Sequence, residues 1–157
     1  MISNNSFEEK QIIKWALQAA KALKYMHYSF SPKAIHRDVK PDNMLMNRDL
    51  ILKISDFGLS KWTFDPAKTF CGTVCYMAPE ILRGRGRNYD EKVDVYSWGK
   101  SFWRCFKGRI PPQDNLSSIP IVSSRSEKVN LAIRKAVKND PRDRPSMRTI
   151  VDHLSNL

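Results

Sequence analysis

The stretch His36-Arg37-Asp38-Val39-Lys40-Pro41-Asp42-Asn43, followed thirteen residues after Asn43 by Asp56-Phe57-Gly58, decides the reading of this chain. A carboxylate (Asp38) stands two residues before a cation (Lys40), and two oxygen donors, Asn43 and Asp56, follow in order. Phosphoryl transfer asks a protein for that set: a carboxylate beside the attacking hydroxyl, positive charge against the phosphate oxygens, and ligands for Mg²⁺. Mg²⁺ takes one or two hard oxygen ligands plus substrate phosphates, which suits an Asn amide oxygen and one Asp better than a Cys or His cluster. Between the two loops, Met44-Leu45-Met46 and Ile51-Leu52-Lys53-Ile54 read as short apolar strands around the polar turn Asn47-Arg48-Asp49. That hairpin would bring Asn43 and Asp56 together at one end.

Working outward, Cys71-Gly72-Thr73-Val74-Cys75-Tyr76-Met77-Ala78-Pro79-Glu80 ends in Ala-Pro-Glu, Asp94-Val95-Tyr96-Ser97-Trp98-Gly99 lies in an apolar run, and Asp140-Pro141-Arg142-Asp143-Arg144-Pro145 precedes the last helical pattern. In this order the motifs resemble those of the eukaryotic-type protein kinase catalytic domain, serine/threonine-like, over essentially the whole chain. The implied fold is protein-kinase-like (α+β), mainly α-helical with short β-hairpins around the catalytic loop. Only the large C-terminal lobe is expected over residues 1–157. Residues 1 to 35 hold no glycine, and their Lys residues (Lys10, Lys14, Lys21, Lys24, Lys33) lie in or just after a helical pattern, so the Gly-rich loop and strand Lys of a small lobe are not found there.

The resemblance implies roles residue by residue. Asp38 is the general base that orients the substrate hydroxyl, and Lys40 neutralises the transferred phosphoryl group, with the Asp-x-Lys spacing and Thr73 pointing to Ser/Thr acceptors. Asn43 and Asp56 are the Mg²⁺ ligands, and Leu45 forms part of the floor under the adenine of ATP. His36 and Phe57 are packing residues, Glu80 and Arg144 a buried ion pair, and Asp94 an acceptor for catalytic-loop backbone. Arg37 implies control by activation-loop phosphorylation, with Thr69 as the phosphorylated position, Thr63 as a competitor and Lys61 as a second phosphate ligand.

Size and composition agree with one lobe. The chain has 157 residues, 41% of them hydrophobic, enough for one core and short of the roughly 250 or more residues expected of two lobes. No run approaches the roughly 18 apolar residues of a membrane span, and the N-terminus lacks a signal-peptide pattern, so an intracellular, cytoplasmic setting is expected. Cys71, Cys75 and Cys105 lack paired metal-ligand spacing and read as reduced thiols. The net charge of +11 comes from scattered residues, and the densest cluster, Arg83-Gly84-Arg85-Gly86-Arg87, has no interleaved aromatics, so no nucleic-acid partner is expected.

Ser6-Phe7-Glu8-Glu9 predicts a capping box that opens a helix ending near His27 or Tyr28, with Ile12, Ala16, Ala19, Leu23 and Met26 on its core face. His27 reads as a packed structural histidine. Asp90 is expected to cap a helix through Phe106, apolar nearly all round and stopped by Gly108, which belongs in the centre. A third helix follows Ser126, and Ser146 caps a fourth. Two functions fit: a protein serine/threonine kinase acting on protein substrates with ATP and Mg²⁺, switched by an upstream kinase or by self-phosphorylation, and a non-catalytic kinase-like interaction module. A lone large lobe would hold the nucleotide on one face only.

Overall fold

A computed structural model describes residues 7–56, 74–83, 89–111 and 126–156. The first helix, α1 (Glu9–Tyr28), buries Ile12, Trp15, Ala16, Ala19, Ala20, Leu23 and Met26, a stripe repeating at three and four residues as a core-facing helix requires. Its start differs from the capping-box expectation. Glu8 stands at the N-cap with no side-chain cap, and its carbonyl accepts the first helical N–H bonds, from Gln11 at 2.9 Å and Ile12 at 3.2 Å. Phe7 packs edge-on against Trp15 (centroids 4.8 Å), so an aromatic contact adjoins the helix entrance where a hydroxyl cap was expected. Ser6 itself lies outside the described residues.

The chain then passes through an irregular segment and a 3₁₀ turn (Pro41–Asn43) into the antiparallel pair β1 (Met44–Met46) and β2 (Leu52–Ile54), in which Met44 faces Ile54 and Met46 faces Leu52. Asn47 closes the hairpin: its Oδ1 accepts from the N–H groups of Asp49 (3.1 Å) and Ile51 (2.8 Å). The turn is tied to α1 by Trp15, which donates to Leu50 O at 2.8 Å, and by Gln18, whose Oε1 accepts from Leu52 N at 2.9 Å.

The short α2 (Pro79–Leu82) precedes α3 (Lys92–Lys107), every residue of which from Val93 to Trp103 is buried. It lies between α1, on which Trp98 donates to Ala16 O at 3.1 Å, and α4 (Glu127–Ala136). Its beginning shifts by one residue from expectation. Glu91 is the N-cap, while Asp90 contributes from one position earlier by accepting Lys92 N at 2.9 Å. Gly108, with φ +67°, closes the helix as the left-handed C-terminal residue, its N–H bonded to Arg104 O. The last helix, α5 (Met147–Leu154), is capped by Ser146, whose Oγ accepts Thr149 N at 3.1 Å, and packs along α1. No helix among the described residues is long and apolar enough to cross a membrane.

The α3–α4 crossing depends on Gly99. A Cβ there would sit 2.8 Å from Val137 Cγ1 and 2.9 Å from Ala136 Cβ, closer than packed carbons tolerate. Gly99→Ala is therefore expected to destabilise the fold by about 1–3 kcal/mol, the range of core overpacking, despite the better helix propensity of Ala. A urea midpoint equal to or above wild type would contradict the close approach.

Candidate active site

Four of the polar residues of α3 repeat at intervals of three and four: Asp94, Ser97, Ser101 and Arg104. They fasten the loops that carry the motif residues. Asp94 is fully buried and accepts three bonds: His36 N on Oδ2 at 2.8 Å, Arg37 N on Oδ1 at 2.8 Å, and His27 Nε2 on Oδ2 at 2.9 Å. Ser101 donates to Val39 O at 3.3 Å and Ser97 to Tyr76 O at 2.8 Å. Arg37 adopts φ +71°, a left-handed conformation costly for a residue with a Cβ, and the Asp94 bond to its N–H helps hold it there.

His36 locks the other side of this loop. Its Nδ1 accepts Asp38 N at 3.3 Å, so Nε2 carries the proton and donates it to Ser55 O at 3.0 Å. The end of β2 is joined to the 3₁₀ turn as well, since Ser55 N and Oγ both donate to Asn43 O, at 2.9 and 3.1 Å. Together these bonds fix Ser55, the residue before Asp56, against Asn43. The site is thus assembled by backbone groups, with the histidine as a brace.

Asp38 is 5% exposed, and its two oxygens differ. Oδ2 accepts from Lys40 Nζ at 2.7 Å and Asn43 Nδ2 at 2.9 Å, while Oδ1 is buried with no hydrogen-bond partner among the described residues. A buried carboxylate oxygen without a donor is costly in a finished core and suits a position that meets a hydroxyl. Asn43 spends both amide protons on Asp38, the second going to Asp38 O at 2.8 Å. Its Oδ1 is therefore the atom left for a cation.

Asn43 and Asp56 fit Mg²⁺ on donor chemistry: one amide oxygen and one exposed carboxylate that has no hydrogen-bond or ion-pair partner among the described residues, at φ +63° in the turn after β2. Bound there with nucleotide, the ion would neutralise phosphate oxygens. Leu45, 57% exposed, is the outward residue of β1.

Arg144 is 2% exposed and reaches Glu80 with both terminal nitrogens, Nη1 to Oε1 at 2.7 Å and Nη2 to Oε2 at 2.8 Å, linking α2 to the turn before α5. In the turn Val74–Tyr76, burial raises the Cys75 thiol, and burial pushes the Tyr76 phenol up to about 12 although Arg104 works against it. Burial likewise pushes Cys105 up to about 12, so neither thiol is a ready nucleophile. Phe57, Lys61, Thr63, Thr69, Cys71 and Thr73 lie outside the described residues.

Motif reading missed several contributors. His27, read as packing, bonds Asp94 directly, and Tyr89 lies under the Arg37 guanidinium at 5.2 Å. Ser97, Ser101 and Arg104 carry one sequence signal, their polar spacing within an apolar helix.

Comparison with known proteins agrees with this geometry. Residues 1–154 match the family model described as protein kinase domain. The rat mitogen-activated protein kinase kinase kinase 12 is 37% identical, over 91% of this chain and 17% of its own length. The Xenopus laevis mitogen-activated protein kinase kinase kinase 13-B is 35% identical (92% of this chain, 16% of its own), and the Arabidopsis thaliana probable serine/threonine-protein kinase SIS8 is 32% identical (98% and 16%). The chain spans about a sixth of the length of these relatives. With the motif order, the braced loop and a match over nearly its full length, this chain belongs to the protein kinase family.

Proposed function

We propose that the chain performs phosphoryl transfer from Mg²⁺-ATP to Ser or Thr hydroxyls of proteins. The observation that carries this reading is the asymmetry of Asp38. One oxygen is fixed by Lys40 and Asn43, and the other is buried without a donor, positioned to accept a bond from an incoming hydroxyl and its proton as transfer proceeds. Lys40 then supplies positive charge beside the attacking oxygen, Asn43 and Asp56 hold the metal, and Leu45 lies under the nucleotide base. Nothing in the geometry favours a non-catalytic interaction module over this.

The substrate class we assign is protein, and the relatives named mitogen-activated protein kinase kinase kinases suggest another kinase as substrate. Regulation is assigned to Arg37. Its guanidinium rests on Tyr89 with Nε buried and unpartnered among the described residues, a group ready to take a phosphate from Thr69 or Thr73, with Lys61 as a second ligand. The donor is an upstream kinase or the protein itself, in an intracellular, cytoplasmic setting. We assign residues 1–157 to the large lobe of the domain, with the phosphate cover supplied from outside them.

The test is radiolabelled transfer from ATP to a generic protein substrate by the longest natural protein that carries these residues. Acid hydrolysis should yield labelled phosphoserine and phosphothreonine, and chelation of Mg²⁺ should abolish labelling. Label on tyrosine alone, or labelling indifferent to chelator, would overturn the assignment.

A further inference from the structure

The exposed face of α1 is basic and aromatic. At roughly 3.6 residues per turn, Lys10, Lys14, Lys21, Tyr25 and Tyr28 share an arc of about 60°, with Lys24 at its edge. All of them except the half-buried Lys24 are exposed, and none of the four lysines has an ion-pair partner among the described residues. Glu8 and Glu9, the acids at the helix start, fall outside the arc. Charge that is scattered along the sequence is thus gathered by the helix into one line about 27 Å long.

An aromatic cluster closes the line at the C-terminal end of the helix. Tyr25 and Phe30 are 63% and 51% exposed, yet their rings meet edge to face with centroids 5.6 Å apart, so the pair is held by its own contact outside the core. Residues 28 to 33 are all exposed, and the loop projects from the fold. Arg148, at the start of α5, sets its guanidinium over the Tyr28 ring at 4.6 Å and adds a cation at the same end. Lys33 adds no net charge, being paired with Glu91 at 2.7 Å. Adjoining rings left in water beside cations that no carboxylate satisfies mark an interaction surface.

We propose that this face of α1, with the loop that follows it, docks on a membrane surface rich in anionic lipid. Such docking goes beyond phosphotransfer and does not depend on it. Lysines along one line meet a plane of negatively charged headgroups, while Tyr and Phe rings settle at the headgroup level, which accommodates both an apolar body and a polar edge. A single-stranded nucleic acid fits less well. It is held in a groove with bases stacked on free ring faces, whereas this face is the convex side of a helix and the Tyr25 and Phe30 rings are engaged with each other.

The test is co-sedimentation of the longest natural protein that carries these residues with vesicles of phosphatidylcholine, alone or mixed with about 30% phosphatidylserine. Binding is expected to be at least about tenfold tighter to the anionic vesicles at low salt and to weaken as ionic strength rises. Lys14→Glu combined with Lys21→Glu should abolish the preference. Tyr25→Ser combined with Phe30→Ser should weaken binding to the anionic vesicles at least about fivefold with every lysine in place. Both double variants should keep the wild-type melting temperature, because all four side chains are exposed. Equal binding to the two vesicles, binding to neither, a preference that survives the lysine reversals, or indifference to loss of the two rings overturns the proposal. Tighter binding of polyglutamate or polyuridylate than of the anionic vesicles would reassign the face to an acidic protein or a nucleic acid and overturn it as well.

Discussion

Asp38→Asn should lower kcat of the natural protein about 10²- to 10⁴-fold, the range contributed by a positioned acid or base, while leaving the melting temperature and nucleotide affinity nearly unchanged. The substitution is isosteric. Its single carbonyl oxygen can serve Lys40 and Asn43 as Oδ2 does now, at 2.7 and 2.9 Å, which turns the NH₂ toward the position of the orphaned Oδ1. A donor then stands where the reacting hydroxyl needs an acceptor. Asp56→Asn makes the instructive contrast, because it removes metal-binding charge from an exposed turn and should raise KM for Mg²⁺-ATP as well as lower kcat. Steady-state kinetics on the two variants separate the roles. Full activity in Asp38→Asn would remove it from the chemistry.

Why Asp38 could be singled out so directly, and Arg104 could not, follows from how each is encoded. The segment from His36 to Asn43 holds its reactive side chains within eight residues, so their order alone limits what they can do. The helices were legible for a similar reason. The stripe from Ile12 to Met26 and the all-round apolar run from Val93 to Phe106 are periodic signals that survive without tertiary knowledge. The Ser146 cap and Gly108 stop are local chemistry, and both stand where their side chains or freedom from a Cβ suggest.

What escaped is what depends on the far side of a contact. Ser97 and Ser101 bond the backbone carbonyls of Tyr76 and Val39, and a main-chain partner leaves no mark on residue identity. In a helix buried on every side, a polar stripe also has no solvent face to explain it, so it is readily taken for scattered small residues. The start of α1 failed differently. The Ser-x-x-Glu pattern places the N-cap at Ser6, whereas Glu8 stands there and Phe7 packs on Trp15 beside it. A lone histidine at a helix end reads as packing, because it carries no hint that a carboxylate 67 residues away will meet it.

The second large effect concerns the fold itself. Arg144→Met should destabilise the chain by about 3–5 kcal/mol, the cost of stranding one partner of a buried pair. All five guanidinium N–H donors are spent. Nε goes to Lys138 O at 2.7 Å, Nη1 to Glu80 Oε1 and Lys92 O at 2.7 and 3.0 Å, and Nη2 to Glu80 Oε2 and Asn139 O at 2.8 and 3.0 Å. Tyr96 lies under the guanidinium, with its ring centroid 4.9 Å from Cζ. Removing this one side chain therefore withdraws five donors from a carboxylate and three carbonyls, at the junction where α2, α3 and the turn before α5 meet. Against a total stability of roughly 5–15 kcal/mol for a domain of this kind, the loss is more than half at the low end and about a fifth to a third at the high end. Arg144→Lys should recover little, because an ammonium presents three donors from one point and cannot span five acceptors arranged around a plane. Glu80→Gln should cost less than Arg144→Met, since the Glu80 side chain is 20% exposed and the amide oxygen still accepts one of the two bonds. Combining Glu80→Gln with Arg144→Met should cost less than the two separate losses added, because the carboxylate stranded by the second no longer exists. Urea midpoints for the four variants against wild type decide it: a loss under about 1 kcal/mol for Arg144→Met would mean that relaxation or water satisfies these acceptors, and that the pair follows the fold more than it holds it.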